Sequence, residues 1–357
     1  MLKKIAVPLL VLSAITAGLA YAYRADIAMK IVDQIVTERM KDPMASIPDG
    51  LHIGLCGTGS PFPDPQRGAP CTVVIAGKDM FLFDAGSGAA KQISRMNLST
   101  GQLKGIFLTH FHSDHIDGLG EVMMTRWAQN TSPDKLKLYG PTGVREVHEG
   151  FHQAYGHDTE HRTAHHTAAL MPPELAGAEV YEFITPSTTP VSVFKAGDLD
   201  IKAFAVDHQP IHPAIGYIIT YKGRTVVLSG DTKKSAAVAQ AAKGADLLIH
   251  EALSVDLVQK LQEAAVKAGR AKLGQIFTDI QNYHTTPVEV AEVAKEAQVG
   301  AVVLSHIVPP LPLPPMKEIF LGKAPEIFKG PFKIGEDGDF ISLPPGSKAI
   351  EYTRRWN

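Results

Sequence analysis

The stretch IFLTHFHSDH, residues 106–115, places four metal-capable side chains within six residues, directly after a short apolar run. Residues two apart on a strand face the same side, so His110 and His112 can bind one metal ion together. Asp114 and His115 follow where the chain should turn into a helix, and they can face a second ion beside the first. Imidazole and carboxylate ligands without thiolate favour zinc, manganese or iron over a closed structural zinc site. The alternative is a polar cluster at the end of a surface strand.

Three further polar residues each follow a predicted strand later in the chain. His208 comes after the run 204–206, Asp231 ends a β-branched run at a Gly-Asp turn, and His306 ends the run 301–305. Active-site side chains commonly lie on loops that leave rigid elements, so these residues are candidate ligands. His212 competes with His208 for one ligand role. His208 is preferred because it directly follows its strand and begins the loop.

The order of these residues resembles the metallo-β-lactamase superfamily, in its ribonuclease Z-like and arylsulfatase-like branch. The matching segments span about residues 50–310 and are, in chain order, Gly57–Pro61, Phe83–Gly88, His110–His115, His208 with Gly216–Tyr217, Ser229–Thr232, Ile249–Ala252, His284–Pro287 and Leu304–His306. The resemblance implies an α+β fold, a four-layer αββα sandwich of two packed β-sheets with helices outside.

The resemblance also implies a site for two divalent ions, with zinc expected and manganese or iron as alternatives. It assigns the first ion to His110, His112, His208 and Asp231, and the second ion to Asp114, His115, Asp231 and His306. The catalytic residues implied are Asp114, His284 and Glu251, of which the last two match a proton-donating pair in this branch. The alternative role for His284 is a hydrogen-bonding residue at a helix start. Asp84, which is not a ligand in the resemblance, is expected to orient one.

Patterns at the N-terminus predict export. Residues 1–22 combine a basic start, an apolar run and a small-x-small site, as in a signal peptide or a membrane anchor. Residues 23–48 are expected to form a helical stalk, and residues 49–357 the catalytic domain, with an insert at 139–195. The predicted location is the periplasm, either free or anchored to the inner membrane facing the periplasm. Cys56 and Cys71 fit a disulfide in such a compartment, and two buried thiols are the alternative.

The predicted insert contains six histidines and allows two interpretations. It is either a solvent-facing helical segment or a lid whose side chains, Arg162 above all, bind an anionic substrate.

We expect an ester hydrolase that uses a hydroxide shared by two metal ions. Ribonuclease Z members carry a long tRNA-gripping arm where only residues 218–228 separate the matching segments here, so a small sulfate ester is preferred as the substrate. The alternatives are a phosphodiesterase of ribonuclease Z type, a lactone or carboxylic ester hydrolase, and a degenerate metal-binding scaffold without activity.

Net charge and local charge runs bear on the partners. The formal net charge is -2, and the longest basic clusters are Lys233-Lys234 and Arg354-Arg355. A nucleic-acid-binding protein more often has a basic excess. A small anionic ester and no nucleic acid are therefore the expected partners, while membrane anchoring through the N-terminus and a homodimer stay open.

Overall fold

The computed structural model describes residues 19–130, 132–187 and 189–356, which fall into two compact units that divide after Ile47. The described part of the first unit contains helix α1 (Arg24–Arg39). Most of the predicted signal or anchor segment, residues 1–18, lies outside the described residues. Within the described ranges, no helix is long and apolar enough to cross a membrane.

The second unit, from Pro48 onward, contains the β-strands. Their bounds are β1 (Leu51–Gly57), β2 (Cys71–Ala76), β3 (Asp79–Phe83), β4 (Leu103–Phe107), β5 (Leu136–Pro141), β6 (Ala178–Phe183), β7 (Val191–Ala196), β8 (Leu199–Ala205), β9 (Ile215–Tyr221), β10 (Arg224–Leu228), β11 (Leu247–Leu253), β12 (Ala301–Val308), β13 (Phe332–Ile334), β14 (Asp339–Leu343) and β15 (Glu351–Arg354). In the part of the chain that the structure describes, they form an eight-stranded sheet in the order β15-β14-β1-β2-β3-β4-β5-β6 and a seven-stranded sheet in the order β13-β12-β11-β10-β9-β8-β7.

Helices connect and cover these sheets. They are α2 (Ala89–Arg95), α3 (Ser113–Ile116), α4 (Leu119–Gln129), α5 (Val144–Ala154), α6 (Gly156–His166), α7 (Ala236–Ala241), α8 (Val255–Lys267), α9 (Ala271–Asp279), α10 (Pro287–Ala297), α11 (Met316–Leu321) and α12 (Ala324–Ile327). Helix α10 begins with a capping box at Thr286 and Glu289 and has Pro287 in its first turn, where a proline is favourable.

The main core lies between the two sheets. Alternate residues of β1 and β3, such as Ile53 and Phe81, meet Ile219 of β9 and Val303 of β12, and all four are almost completely buried. Inward-facing apolar side chains from two sheets interdigitate in this way in β-sandwiches. The two-sheet α+β sandwich expected from the sequence is therefore confirmed.

Parallel strands bring several strand ends to the same edge. Strands β3, β4 and β5 are parallel in the first sheet, and β10, β11 and β12 are parallel in the second. Loops at the carboxyl ends of parallel strands are where ligands usually bind in open sheets. Predicted site residues follow β3, β4 and β10 at this edge, His306 lies near the end of β12, and His208 follows β8.

The stretch 139–195 is only partly an insert. Helices α5 and α6 leave the sheet after β5, but β6 returns to pair with β5, and β7 forms the edge of the second sheet. Both are edge strands with exposed residues on both faces, so they lack the apolar alternation that identifies a half-buried strand. His148 of α5 accepts a hydrogen bond from the backbone of Ala178 at the start of β6, the opposite end from the predicted ligands. This contact places His148 away from the predicted ligands, and Arg162 of α6 pairs with Asp158 of the same helix.

Cys56 and Cys71 form a disulfide between β1 and the start of β2. Cys56 lies at an irregularity in the β1–β2 register, between Leu55 and Gly57. Of the two alternatives left open by the sequence, the structure contains the disulfide.

Candidate metal centre

One carboxylate oxygen, Oδ2 of Asp231, lies at the centre of four imidazole rings. The Nε2 atoms lie 3.3 Å away for His306, 3.4 Å for His115, 3.9 Å for His110 and 4.0 Å for His208. Asp231 is almost completely buried. A buried carboxylate surrounded in this way is suited to bridge two cations.

Irregular backbone places Asp231 and His306. Gly230 has a φ of 60°, and a Cβ atom at this position would collide with the backbone carbonyl of Ile215, so the turn before Asp231 requires glycine. His306 is the extra residue of a bulge in the β11–β12 register and has a φ of 47°. A bulge next to a site re-aims a side chain, and here it directs His306 toward Asp231.

The predicted ligands divide into two groups whose donor atoms lie within 4.8 Å of one another. The first contains His110, His112, His208 and Asp231, and the second contains Asp114, His115 and His306. Nε2 of His306 lies 3.3 Å from both Asp114 and Asp231. The structure thus brings together all seven side chains that the sequence suggests as ligands.

His208 and His212 differ clearly in position. His208 is 1% exposed and belongs to the first group. His212 is exposed and belongs to neither group within the described residues. The geometry therefore favours His208.

Hydrogen bonds at Nδ1 fix the orientation of three of the histidines. His115 pairs with Asp84 at 2.8 Å, His110 with the hydroxyl of Thr109 at 3.0 Å, and His208 with the backbone carbonyl of Tyr283 at 2.9 Å. Because the carbonyl and the carboxylate can only accept, Nδ1 of His208 and of His115 carries a proton, and their Nε2 atoms are the ones that face Asp231. Asp84 has the orienting position predicted for it.

Thr109 and Tyr283 orient the site but were not singled out from the sequence. Thr109 donates to Asp84 and contacts His110. Its position directly before His110 could have indicated this role, since a hydroxyl there can reach both the ring of His110 and the carboxylate of Asp84. Tyr283 acts through its backbone carbonyl, which leaves no signature in the residue type.

The pKa values of the buried histidines and of Asp231 favour the binding of divalent cations. Burial lowers the pKa of His208 to about 4 and that of His110 well below its usual range, so both rings are neutral near pH 7 and able to bind a metal. Burial opposes ionisation of Asp231, but His306 and His115 outweigh it and hold the pKa of this carboxyl well below its usual range. The buried Nε2 atoms of His115 and His208 have no hydrogen-bond partner in the described part of the chain. The donor set therefore fits two cations.

Glu251 and His284 form a pair beside these groups. Oε1 of Glu251 accepts hydrogen bonds from the backbone N–H groups of Thr285 and Thr232, at 2.9 and 3.3 Å. Oε2 lies 3.2 Å from Nδ1 of His284, within ion-pair distance although the two atoms are not aligned as a hydrogen bond. Burial and the charge of Asp231 raise the pKa of Glu251 well above its usual range, and burial lowers the pKa of His284 to about 4.

His284 also lies close to the candidate ligands. Its ring stacks on His306 with centroids 5.4 Å apart, and one of its nitrogens lies within 4.8 Å of donor atoms of Asp231 and His306. It can therefore contact a substrate bound at the cluster.

The fold and this cluster define a metal-dependent hydrolase of ester bonds. Residues 80–307 match the family model described as beta-lactamase superfamily domain, and the chain belongs to this superfamily, in its ribonuclease Z-like branch.

Among similar proteins, ribonuclease Z of Mycobacterium bovis (strain BCG / Pasteur 1173P2) is 36% identical over 297 residues, which cover 83% of this chain and 99% of the relative. Ribonuclease Z of Mycolicibacterium gilvum (strain PYR-GCK) is 34% identical over 298 residues, which cover 83% and 97%. The crystal structure of human tRNase Z, short form, has the same fold, with a TM-score of 0.59, 23% identity and coverage of 82% of this chain and 99% of that one.

The expectations of a small anionic ester as the substrate and of no nucleic-acid partner are wrong. The relatives that match across nearly their whole length carry the name ribonuclease Z, which specifies RNA. The sulfate-ester interpretation has no support from these relatives. Net charge and local basic runs were poor guides because cations that are distant in the sequence can still meet in the fold.

Proposed function

We propose that the protein is a phosphodiesterase that hydrolyses RNA and depends on two divalent cations, zinc being the expected metal. The observation that carries this proposal is the convergence of four imidazoles on Oδ2 of Asp231, with the Glu251–His284 pair beside them. The similarity to ribonuclease Z over nearly the whole length of that protein supports RNA as the substrate class.

The two donor groups would hold one cation each. His110, His112 and His208 would bind the first, Asp114, His115 and His306 the second, and Asp231 both. When bound, such ions lower the pKa of a water molecule and neutralise charge on a phosphodiester. The protein's own contribution is to fix the imidazoles through Asp84, Thr109 and the carbonyl of Tyr283.

The Glu251–His284 pair would supply a proton to the leaving oxygen. Two backbone N–H groups hold Oε1 of Glu251, so Oε2 is the atom directed at Nδ1 of His284. Because Nδ1 of His284 faces Glu251, Nε2 is the atom left to donate a proton to the leaving oxygen. A ribose alkoxide is a poor leaving group, so this general acid is needed for RNA.

The absence of an arm bears on which RNA is cleaved. Strands β9 and β10 are joined by the two residues Lys222 and Gly223, all within the described part of the chain. The long arm expected of ribonuclease Z members at this position is missing. We therefore propose RNA phosphodiester hydrolysis without restricting the substrate to tRNA precursors.

We also propose that the enzyme acts outside the cytoplasm. The Cys56–Cys71 disulfide supports this location, because disulfides persist in oxidising compartments, and so does the signal-like pattern of residues 1–22. Fractionation of the native host, followed by detection of the chain, tests the location. Recovery with cytoplasmic markers would contradict it.

The test of activity compares two phosphodiesters with the full chain loaded with zinc. A labelled RNA oligonucleotide and bis(p-nitrophenyl) phosphate are incubated with the wild type and with His110→Ala. We expect both substrates to be cleaved by the wild type and neither by the variant, with circular dichroism showing that the variant is folded. Metal-loaded wild type that leaves both diesters intact would refute the proposal.

A further inference from the structure

A surface groove of about 220 Å³ lies at the start of β3, β4 and β5, the end of the strands opposite the candidate metal centre. We name it the basic groove for the six charged residues that line it, the cations of Lys104, Arg126, Lys135 and Lys137 and the carboxylates of Asp79 and Asp134. The groove therefore has a formal charge of +2, from four cations and two carboxylates, whereas the whole chain has -2. These cations come from three separate elements, so no basic run marks them in the sequence.

Arg126 is a buried cation without a carboxylate partner. It is 3% exposed, and its Nε donates to the backbone carbonyl of Leu103 at 2.7 Å. Among the described residues, no carboxylate oxygen lies within 4 Å of its guanidinium, although the charge of Asp134 acts on it from farther away and the backbone carbonyl of Asp134 accepts a hydrogen bond from its Nη2 at 3.5 Å. Arginine stays charged in proteins, and a buried charge without a counter-ion is unfavourable. An anion in the groove would balance the excess of cations that the two carboxylates leave.

The three lysines are also unpaired. Lys104 is exposed and Lys135 and Lys137 are half-buried, and within the described ranges none of them forms an ion pair. The ammonium of Lys137 lies 5.7 Å from the ring of Tyr181. Other lysines behave differently, since Lys233 and Lys234 each pair with a carboxylate. The basic groove thus presents its cations to a ligand.

We infer that the basic groove binds the phosphate backbone of the RNA substrate at a distance from the scissile bond. This inference rests on the proposed function and deepens it. Strands rise by ~3.3 Å per residue, so the six residues from Lys104 to His110 place the groove about 20 Å from the metal centre. Phosphate contacts position a nucleic acid without reading its sequence. The short β9–β10 turn provides no arm to hold RNA. A phosphate contact in the basic groove would hold the RNA instead.

The test uses the full chain and two RNA lengths. The variant Lys104→Gln/Lys135→Gln/Lys137→Gln removes three cations, and Lys243→Gln/Lys272→Gln/Lys295→Gln, which changes three exposed lysines elsewhere, is the matched control. Binding of a long fluorescent RNA is measured by anisotropy over a series of salt concentrations. Cleavage of the long RNA and of a dinucleotide, which is too short to reach the groove, is measured in parallel.

We expect the groove variant to bind the long RNA at least 10-fold more weakly and its salt slope to fall by about 2 to 3, since each phosphate contact contributes ~0.7 to 0.9. Its kcat/KM for the dinucleotide should equal that of the wild type, and the control should behave as wild type in every assay. Unchanged RNA affinity and salt slope in the groove variant would overturn the inference. Inorganic phosphate that competes as strongly as RNA would also overturn it, by showing a small-anion site. Anisotropy does not require turnover, so a wild type that binds RNA through the groove without cleaving it would refute the proposed function alone.

Discussion

Oδ2 of Asp84 lies 2.8 Å from Nδ1 of His115, and the Asp84 carboxylate also accepts hydrogen bonds from the backbone and hydroxyl of Thr109. Asp84 follows β3, whereas His115 and Thr109 follow β4, so this carboxylate joins the ends of two neighbouring strands. It adopts a φ of 56°, an uncommon conformation for a residue with a side chain. The position of His115 therefore depends on a residue that is not among the candidate ligands.

Replacement of Asp84 should weaken metal binding. In Asp84→Asn the side chain can no longer hold His115 through an ionic hydrogen bond, and loss of such an outer partner typically costs about 10- to 100-fold in metal affinity. Calorimetric titration of the metal-free full chain with zinc measures this effect. Asp200→Asn, in the partly exposed pair with Lys202, is the control and should bind zinc normally. Wild-type affinity in Asp84→Asn would show that His115 needs no such support.

Metal content should distinguish His208 from His212. His208 is buried with its Nε2 4.0 Å from Asp231, whereas His212 is exposed. We expect His208→Ala to lose about one metal ion per chain and His212→Ala to retain both, as measured by plasma mass spectrometry after dialysis. The reverse result would assign the ligand role to His212.

His284 should act on the leaving group and not as a ligand. A general acid contributes about 10²- to 10⁴-fold, so His284→Ala should lower kcat for RNA by that factor while its metal content stays unchanged. Bis(p-nitrophenyl) phosphate has a leaving group that needs little protonation, so its hydrolysis should fall much less. Glu251→Gln should also lower kcat for RNA more than hydrolysis of bis(p-nitrophenyl) phosphate, but by a smaller factor than His284→Ala. Loss of metal from His284→Ala would instead place His284 among the ligands, which its proximity to Asp231 and His306 allows.

The disulfide should stabilise the fold measurably. Cys56 and Cys71 are 15 residues apart, and closing a loop of this length stabilises a protein by about 3 kcal/mol in the chain-entropy account. The free energy of unfolding of Cys56→Ser/Cys71→Ser, measured with urea, should be lower than that of the oxidised wild type by about this amount. The reduced wild type should resemble the variant. Equal stability of all three proteins would show that the disulfide has no such role.

The candidate ligands could be predicted from the sequence because each ends an apolar run, and strand ends at one sheet edge converge. The pattern of residues 110–115 and the Gly-Asp turn at Asp231 are local, so they can be recognised without any tertiary information. The bulge that aims His306 is different, because it depends on the register between β11 and β12. Register is a property of two strands and cannot be read from one of them.

Other features depended on contacts that no local pattern shows. Strands β6 and β7 are exposed edge strands, so their alternation of apolar and polar residues is weak. The basic groove brings together cations from three separate elements, so no run of basic residues in the sequence marks it. Tyr283 orients His208 through its backbone carbonyl, a group that every residue type has. Only the fold places this carbonyl beside His208.

The central claim is that RNA hydrolysis depends on cations held around Asp231. The most direct measurement is the rate of RNA cleavage by the full chain before chelation, after chelation and after divalent cations are restored, in the wild type and in Asp231→Asn. We predict that chelation abolishes cleavage, that restored zinc or manganese recovers it, and that folded Asp231→Asn is inactive throughout. Cleavage that survives chelation, or that persists in Asp231→Asn, would contradict the claim.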